Sequence, residues 1–437
     1  MKRKKPEILR RIQKILIIKR IRANSLSITI IIALIISLLS SLLVLQAYQY
    51  RSIQLKYFLD DKLNNNLRSG ISICLADTSQ YTNDVIKYMD LFGDKDDSVM
   101  IKRIPWGIYQ VGICKVWGST KEKITELLIG SSLPPYLKGC LYLVDHDRPI
   151  SLVGNTRLIG NAFLPKSGAR ISFINQNRYN GVKLVYGDIS SSDKESPSLS
   201  DNTVQYLGTL LYSTPREISE YSLSNFSDTN KRKFVDTLQY FYQPGKITLS
   251  NVILSGHIIV KSDSLIEIEN SATLQNIIVI APIVKVNSGF KGRLQILASE
   301  SISVDESCFL QYPSALILIK KEKGSALHQP KVIISKNCTL EGGIFSFSAS
   351  DDVYKTSVEI KDGCTLKGIL FVNGYLTLES DVKGTVLTDY ILYRSAASTY
   401  ENHLVDRRID RAKLSTSYVG PSIFPGKKIN KTIQCLN

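Results

Sequence analysis

The chemistry open to this chain rests on seven cysteines, four histidines and scattered carboxylates. Cys308, Cys338 and Cys364 share one offset in a sequence repeat, each followed two residues later by a leucine. A structural zinc site usually takes four ligands arranged in close pairs, and no two cysteines here are separated by only two to four residues. The expectation is a column of small buried thiols that pack as apolar groups. Cys74, Cys114, Cys140 and Cys435 fall outside that column. An oxidising compartment would let one pair among them bridge, and Cys114–Cys140 is the pair we expect.

None of His146, His257, His328 and His403 belongs to an H-E-x-x-H motif. Nucleophile-elbow, P-loop and dinucleotide fingerprints are absent as well. Asp145-His146-Asp147 has the residue types of a metal site or proton relay, but it precedes Pro149 and a strand, so a turn is expected. Carbohydrate-cleaving enzymes need a pair of carboxylates at a defined separation. Outward Glu267 and Glu359 share their offset with Lys285, Ser303, Ile333 and Thr377, so no column of acids forms. Tyr400-Glu401-Asn402-His403 follows the last repeat and reads as part of a cap. The sequence nominates no catalytic, cofactor-binding or metal-ligating residue, and no cofactor.

What must position these side chains is the repeat itself. Its units are IEIENSATLQN from Ile266, VKVNSGFKGRL from Val284 and ISVDESCFLQY from Ile302, then VIISKNCTLEG from Val332, VEIKDGCTLKG from Val358 and LTLESDVKGTV from Leu376. Starts lie 18 residues apart except where polar insertions, 320–331 and 348–357, lengthen the gap. Six positions after each start come Ala272, Phe290, Cys308, Cys338, Cys364 and Val382. Eight positions after come Leu274, Leu310, Leu340 and Leu366, with Gly292 and Gly384 in the other two units. Related units begin at Ile150 and Ile247. No unit can bury its apolar face alone, so neighbours must supply the core. The expected fold is mainly β, a parallel β-helix of about 18 residues per coil, with stacked thiol and leucine columns. Its handedness is not encoded in the spacing.

The N-terminus sets the remaining organisation. Ser25–Ala47 holds no charge and is dominated by Ile, Leu and Val. At about 1.5 Å per residue it spans about 35 Å, enough for a hydrocarbon core. Residues 1–24 carry ten Lys/Arg against the single acid Glu7, which fixes the N-terminus on the cytoplasmic side. The net charge of +16 is therefore concentrated in the tail. No basic face appears elsewhere, which argues against nucleic-acid binding. The tail could also touch anionic lipid.

Beyond the span, 48–69 reads as a membrane-proximal helix with Leu59, Leu63 and Leu67 on one stripe. Residues 70–145 read as a small α+β collar, with two strands about Pro105-Trp106-Gly107 and a short helix over 120–130. First β-helix coils follow at 146–187, a polar loop and helical insertion at 188–246, the main β-helix at 247–395, and a C-terminal cap and tail at 396–437. Within the insertion, Ser227 or Asp228 would cap a helix through Phe234, Leu238 and Phe241.

The units resemble bactofilins and other polymer-forming β-helix proteins in coil length and in the sparse apolar–x–apolar pattern. Through LVGNTRLIGNAFLPKSG (152–168), LVYG (184–187), NG (373–374) and YENHLVD (400–406), the chain looks still more like uncharacterised membrane-anchored β-helix proteins of Bacteroidota. The layout of residues 20–75 resembles pseudopilins, although Ala23-Asn24-Ser25 lacks their Gly cleavage site and the apolar run lacks their Glu. These resemblances imply an inner-membrane protein with residues 48–437 in the periplasm. Its partners would be the bilayer and other envelope proteins or itself. The expected role is structural or assembly, not catalytic, with envelope glycan binding or processing and a pseudopilin-like machine component as alternatives.

Overall fold

The computed structural model describes residues 25–76, 86–91, 93, 98–118, 121–174, 176–213, 229–320, 329–348, 355–426 and 429–436. The basic tail, and any lipid contact it makes, lies outside them. The fold is mainly β with one long apolar N-terminal helix, α1 (Ser25–Ala76). The chain divides into two compact units, Met1–Asn65 and Asn66–Asn437. In the first, α1 is unbroken from the apolar run into the membrane-proximal stretch, and every residue of 25–47 is exposed. It is long and apolar enough to cross a membrane.

In the second unit the last turns of α1 meet a five-stranded antiparallel sheet. Its strands are β1 (Lys87–Met89), β2 (Ser98–Trp106), β3 (Tyr109–Trp117), β4 (Glu122–Ser131) and the C-terminal Asn430–Cys435, in that order. The helix expected at 120–130 is therefore a strand. Ile124, Leu127 and Leu128 mimic a helical stripe, but β4 bonds to β3 on one edge and to 430–435 on the other. Two-sided pairing overrides local propensity. Gly130 caps no helix; it stands where the backbone of Gly420 approaches too closely for a Cβ. The tail end of the chain is thus a strand of this sheet.

The repeat units pair in parallel, one upon the next. Ile247, Ile266, Val284, Ile302, Val332, Val358, Leu376 and Ile391 form one continuous register. Their side chains belong to a single buried cluster. Segments such as Ile277–Ile280 are apolar on both faces because both are covered: Ile277 and Val279 point into that cluster, while Ile278 and Ile280 meet a second one. The second cluster joins the stack to Trp106, Val111 and Ile113 of the antiparallel sheet and to Leu207 and Leu211 of α2 (Asp201–Tyr212).

The stack order departs from chain order. Leu141–Leu143 pairs with the last repeat segment (Val386↔Leu141), and Ile409 lies between Val382 and Leu158. Ala162 and Leu158 then lead to Ile189 and Val185. The strands that come first in the body thus close the C-terminal edge of the stack, and the unit at Ile247 sits near its other end.

The insertion also differs from expectation. Residues 189–191 are a strand of the stack rather than part of a polar loop, and the described helix of this region is α2. Thr229–Arg232 and Gln239–Gln243 are strands; residues 214–228 lie outside the described set. Lys261, itself buried, donates to Leu210 O at 2.8 Å and Ser213 O at 2.6 Å, closing the C-terminus of α2. Burial holds its ammonium below the ordinary lysine range, so desolvation offsets part of the gain. Lys261→Met should lower stability by about 1–2 kcal/mol, read as a shifted denaturant midpoint.

Candidate functional site

Cys308, Cys338 and Cys364 occupy successive units, adjoining the register Phe309↔Thr339↔Thr365. All three are buried. The backbone N–H groups of Thr339 and Thr365 donate to Cys308 O and Cys338 O, both at 2.8 Å. Each thiol also donates to a carbonyl of the preceding repeat unit: Cys308 to Asn287, Cys338 to Asp305 and Cys364 to Ser335. The thiols also influence one another along the column: the neighbouring Cys338 lowers the Cys308 pKa, whereas the neighbouring Cys308 raises that of Cys338 to about 11. The neighbouring Cys338 thiol, with burial, raises Cys364 further. Among the described residues no cluster of three or more His, Cys, Asp or Glu is arranged to hold a metal ion.

Of the leucines, Leu310, Leu340 and Leu366 are in direct register and continue to Val382. Leu274 pairs instead with Leu254 and is separated from Leu310 by Gly292. At that level Phe290 fills the space: its ring lies 2.5 Å from where a Gly292 Cβ would be.

Asp145 is a turn anchor, accepting from Asp147 N at 2.9 Å and Lys166 N at 3.2 Å. These bonds lower its pKa. His146 has a different setting. Its ring stacks on Tyr390 at 4.3 Å and 6°, and Tyr390 in turn lies against Tyr375 at 5.2 Å. Lys355 Nζ sits 4.7 Å from the Tyr390 ring centroid and 2.7 Å from Asp389, whose other oxygen accepts from Ser196. This aromatic column with its half-buried ion pair is not visible in the sequence, because His146 reaches Tyr390 only through the pairing of an early strand with a late one. The one available signal was Tyr375 and Tyr390, which are paired in register.

Burial holds the His146 imidazole below its ordinary value of 6.5, aided by the Lys355 ammonium and opposed by Asp389, Glu401 and Asp145. Above pH 6.5 both folded and unfolded chains carry a neutral ring. As pH falls, the unfolded chain binds its proton first, so stability present above that pH is lost as pH drops through the folded pKa. His146→Phe keeps the stack and should flatten this acid-side decline in Tm, measured by thermal unfolding across a pH series.

The other nominated residues do structural work. Glu267 pairs with Lys246 at 2.7 Å and Glu359 with Arg394 at 2.9 Å. Asn402 adopts a φ of 53° and its side-chain oxygen accepts from Ile391 N. His403 pairs with Ser151 in a strand, and Glu401 meets Arg148 at 3.2 Å. His257 is held by Asp236 O at 2.9 Å, against Trp106 and Phe234. It borders a cleft of about 860 Å³ that Lys102, Gln110, Thr203 and Tyr206 also line. His328 lies outside the described residues.

Cys114 and Cys140 are not bridged; both are free and buried. Cys140 donates to Gly160 O, while the neighbour of Cys114 is Cys74. Sequence separation gave no hint of that contact, because it depends on how the end of α1 meets β3.

No family model matches the chain, and no curated protein matches it. Among solved structures it has a likeness to the competence-associated pilin ComZ from Thermus thermophilus, covering 81% of this chain and 86% of that one at 10% identity. The TM-score of 0.26 is too low for a shared fold.

Proposed function

We propose that the chain is a single-pass inner-membrane scaffold whose body is an extracytoplasmic parallel β-solenoid used for association with envelope proteins or with itself. The observation that carries this reading is the unit-on-unit parallel register from Ile247 to Ile391 in a chain whose N-terminal helix begins as an exposed apolar span. Such a body presents long regular sides, and its first and last coils present strand edges that invite pairing. The ten basic residues ahead of the span support a cytoplasmic N-terminus with residues 48–437 outside. The role is non-catalytic on this reading.

The test is mild crosslinking of membranes followed by purification of the full chain in detergent. Discrete higher assemblies, or repeated recovery of the same envelope proteins, are expected; strictly monomeric, partnerless particles would overturn the reading. Labelling of Cys435, which is exposed, by a membrane-impermeant reagent checks the topology. A second reading, binding of an envelope glycan, is favoured by the Tyr375–Tyr390–His146 column, since aromatic faces beside a carboxylate suit sugar rings. Retention on a glycan array that Tyr390→Ala abolishes would promote it.

A further inference from the structure

Where α1 enters the β body, the packing is unusually close. Gly70 and Cys74 stand one turn apart on one helix face, and Gly112 and Cys114 alternate on one face of β3. A Cβ on Gly70 would lie 2.8 Å from Val99 and 4.0 Å from the Cys114 sulfur; one on Gly112 would lie 2.8 Å from the Cys74 sulfur. Gly112 therefore makes room for Cys74, and Gly70 makes room for Val99 with the Cys114 sulfur at contact distance beside it. The two thiols are neighbours, and the Cys74 thiol together with burial pushes the Cys114 pKa well above the ordinary thiol value. Both are buried, at 1% and 0% exposure. Two further groups hold the same helix end: Arg103 Nη1 donates to Cys74 O and Asn430 Nδ2 to Leu75 O, both at 3.1 Å. These partners fix the backbone around Cys74 against the sheet.

We propose that Cys74 and Cys114 are joined by a disulfide in the mature protein, pinning the end of α1 to β3. The inference rests on the extracytoplasmic placement of the body proposed above. The reaction is thiol–disulfide exchange with a disulfide-bearing oxidant of that compartment. One cysteine thiolate attacks the oxidant's disulfide, releasing one of its thiols. The second cysteine then attacks the mixed disulfide and releases the other. Two protein thiols are oxidised, the oxidant's S–S bond is reduced to two thiols, and both protons pass to the departing sulfurs. Because burial excludes a bulky oxidant from the folded protein, exchange takes place while the chain is folding. The remaining buried cysteines, Cys140 and the 308–338–364 column, keep their hydrogen bonds to backbone carbonyls and stay reduced.

The test uses the full chain in detergent, alkylated without reductant and mapped by peptide mass spectrometry. One arm takes protein from cells; the other takes reduced protein refolded with glutathione disulfide. A Cys74–Cys114 linked peptide in both arms is the expected result. Reductant should lower Tm by about 5 °C in wild type and leave Cys74→Ser unchanged. Free Cys74 and Cys114 in the glutathione arm, or a bridge to Cys140, would overturn the pairing. The bridge in that arm alone would overturn its formation in the cell and locate the error in the proposed compartment.

Discussion

Gly368→Ala should cost about 3 kcal/mol or more and abolish cooperative unfolding in some preparations, whereas Gly208→Ala should be neutral to slightly stabilising. Gly342, Gly368 and Gly384 are in register on successive units, with Ser314 before them. Gly368 has a φ of +146° and Gly342 one of +138°, conformations essentially closed to a side chain. A Cβ on any of the three would also meet the carbonyl oxygen of the unit before it, well inside contact distance. The obstacle is backbone, which cannot rotate away as a side-chain tip can. Strain of about 1–3 kcal/mol for the dihedral adds to about 1–3 kcal/mol for the overpacking. Gly208, inside α2, has no heavy atom within 4 Å of its would-be Cβ, so alanine there gains helix propensity of up to about 1 kcal/mol. Denaturant unfolding of both variants gives the comparison. Equal effects would show that the glycine column is incidental.

The same column explains what could be read from the sequence. Within the main stack, spacing is enough, because like positions must sit above one another for the core to close. The starts at Ile266, Val284, Ile302, Val332, Val358 and Leu376 give the register directly, and the polar insertions interrupt the count without shifting it. The hairpin about Pro105-Trp106-Gly107 is legible for a local reason: Gly107, at φ +60°, makes the turn between β2 and β3. Non-local pairing is where legibility ends. Nothing near Leu141 or Leu158 says that they stack on Val386 and Ile409. That depends on the chain crossing the whole body before it winds back. β4 was misread because its partners, β3 and 430–435, lie on opposite sides of it in sequence. α2 was readable in principle, since Val204, Leu207 and Leu211 share a helical face with Asp201 in the first turn. Its polar approach masked the pattern. The Tyr375–Tyr390–His146 column and the Cys74–Cys114 contact were invisible for one reason: each joins segments whose proximity is fixed only by the finished fold.

Exchanging the sizes of two side chains tests the stacking most sharply. Phe290→Ala should cost about 3–5 kcal/mol, since Phe290 is wholly buried within the stack. In neighbouring units the same offset holds Ala272 or Cys308, and the space is filled from two residues on by Leu274 or Leu310. Phe290 and Gly292 invert that division of volume. Gly292→Leu alone should also destabilise strongly, because its Cβ would overlap the Phe290 ring and approach Leu274 O to 3.0 Å. The double variant Phe290→Ala/Gly292→Leu recreates the arrangement of the other units. It should recover much of the loss, with a favourable coupling of about 2 kcal/mol or more between the sites. The register Gly292↔Leu310 places the new leucine directly beside an existing one, extending the Leu310–Leu340–Leu366 column by one unit. Additive costs in denaturant unfolding would mean that the two positions do not share one interior space. A core shared between successive units would then have to be abandoned at this level of the stack.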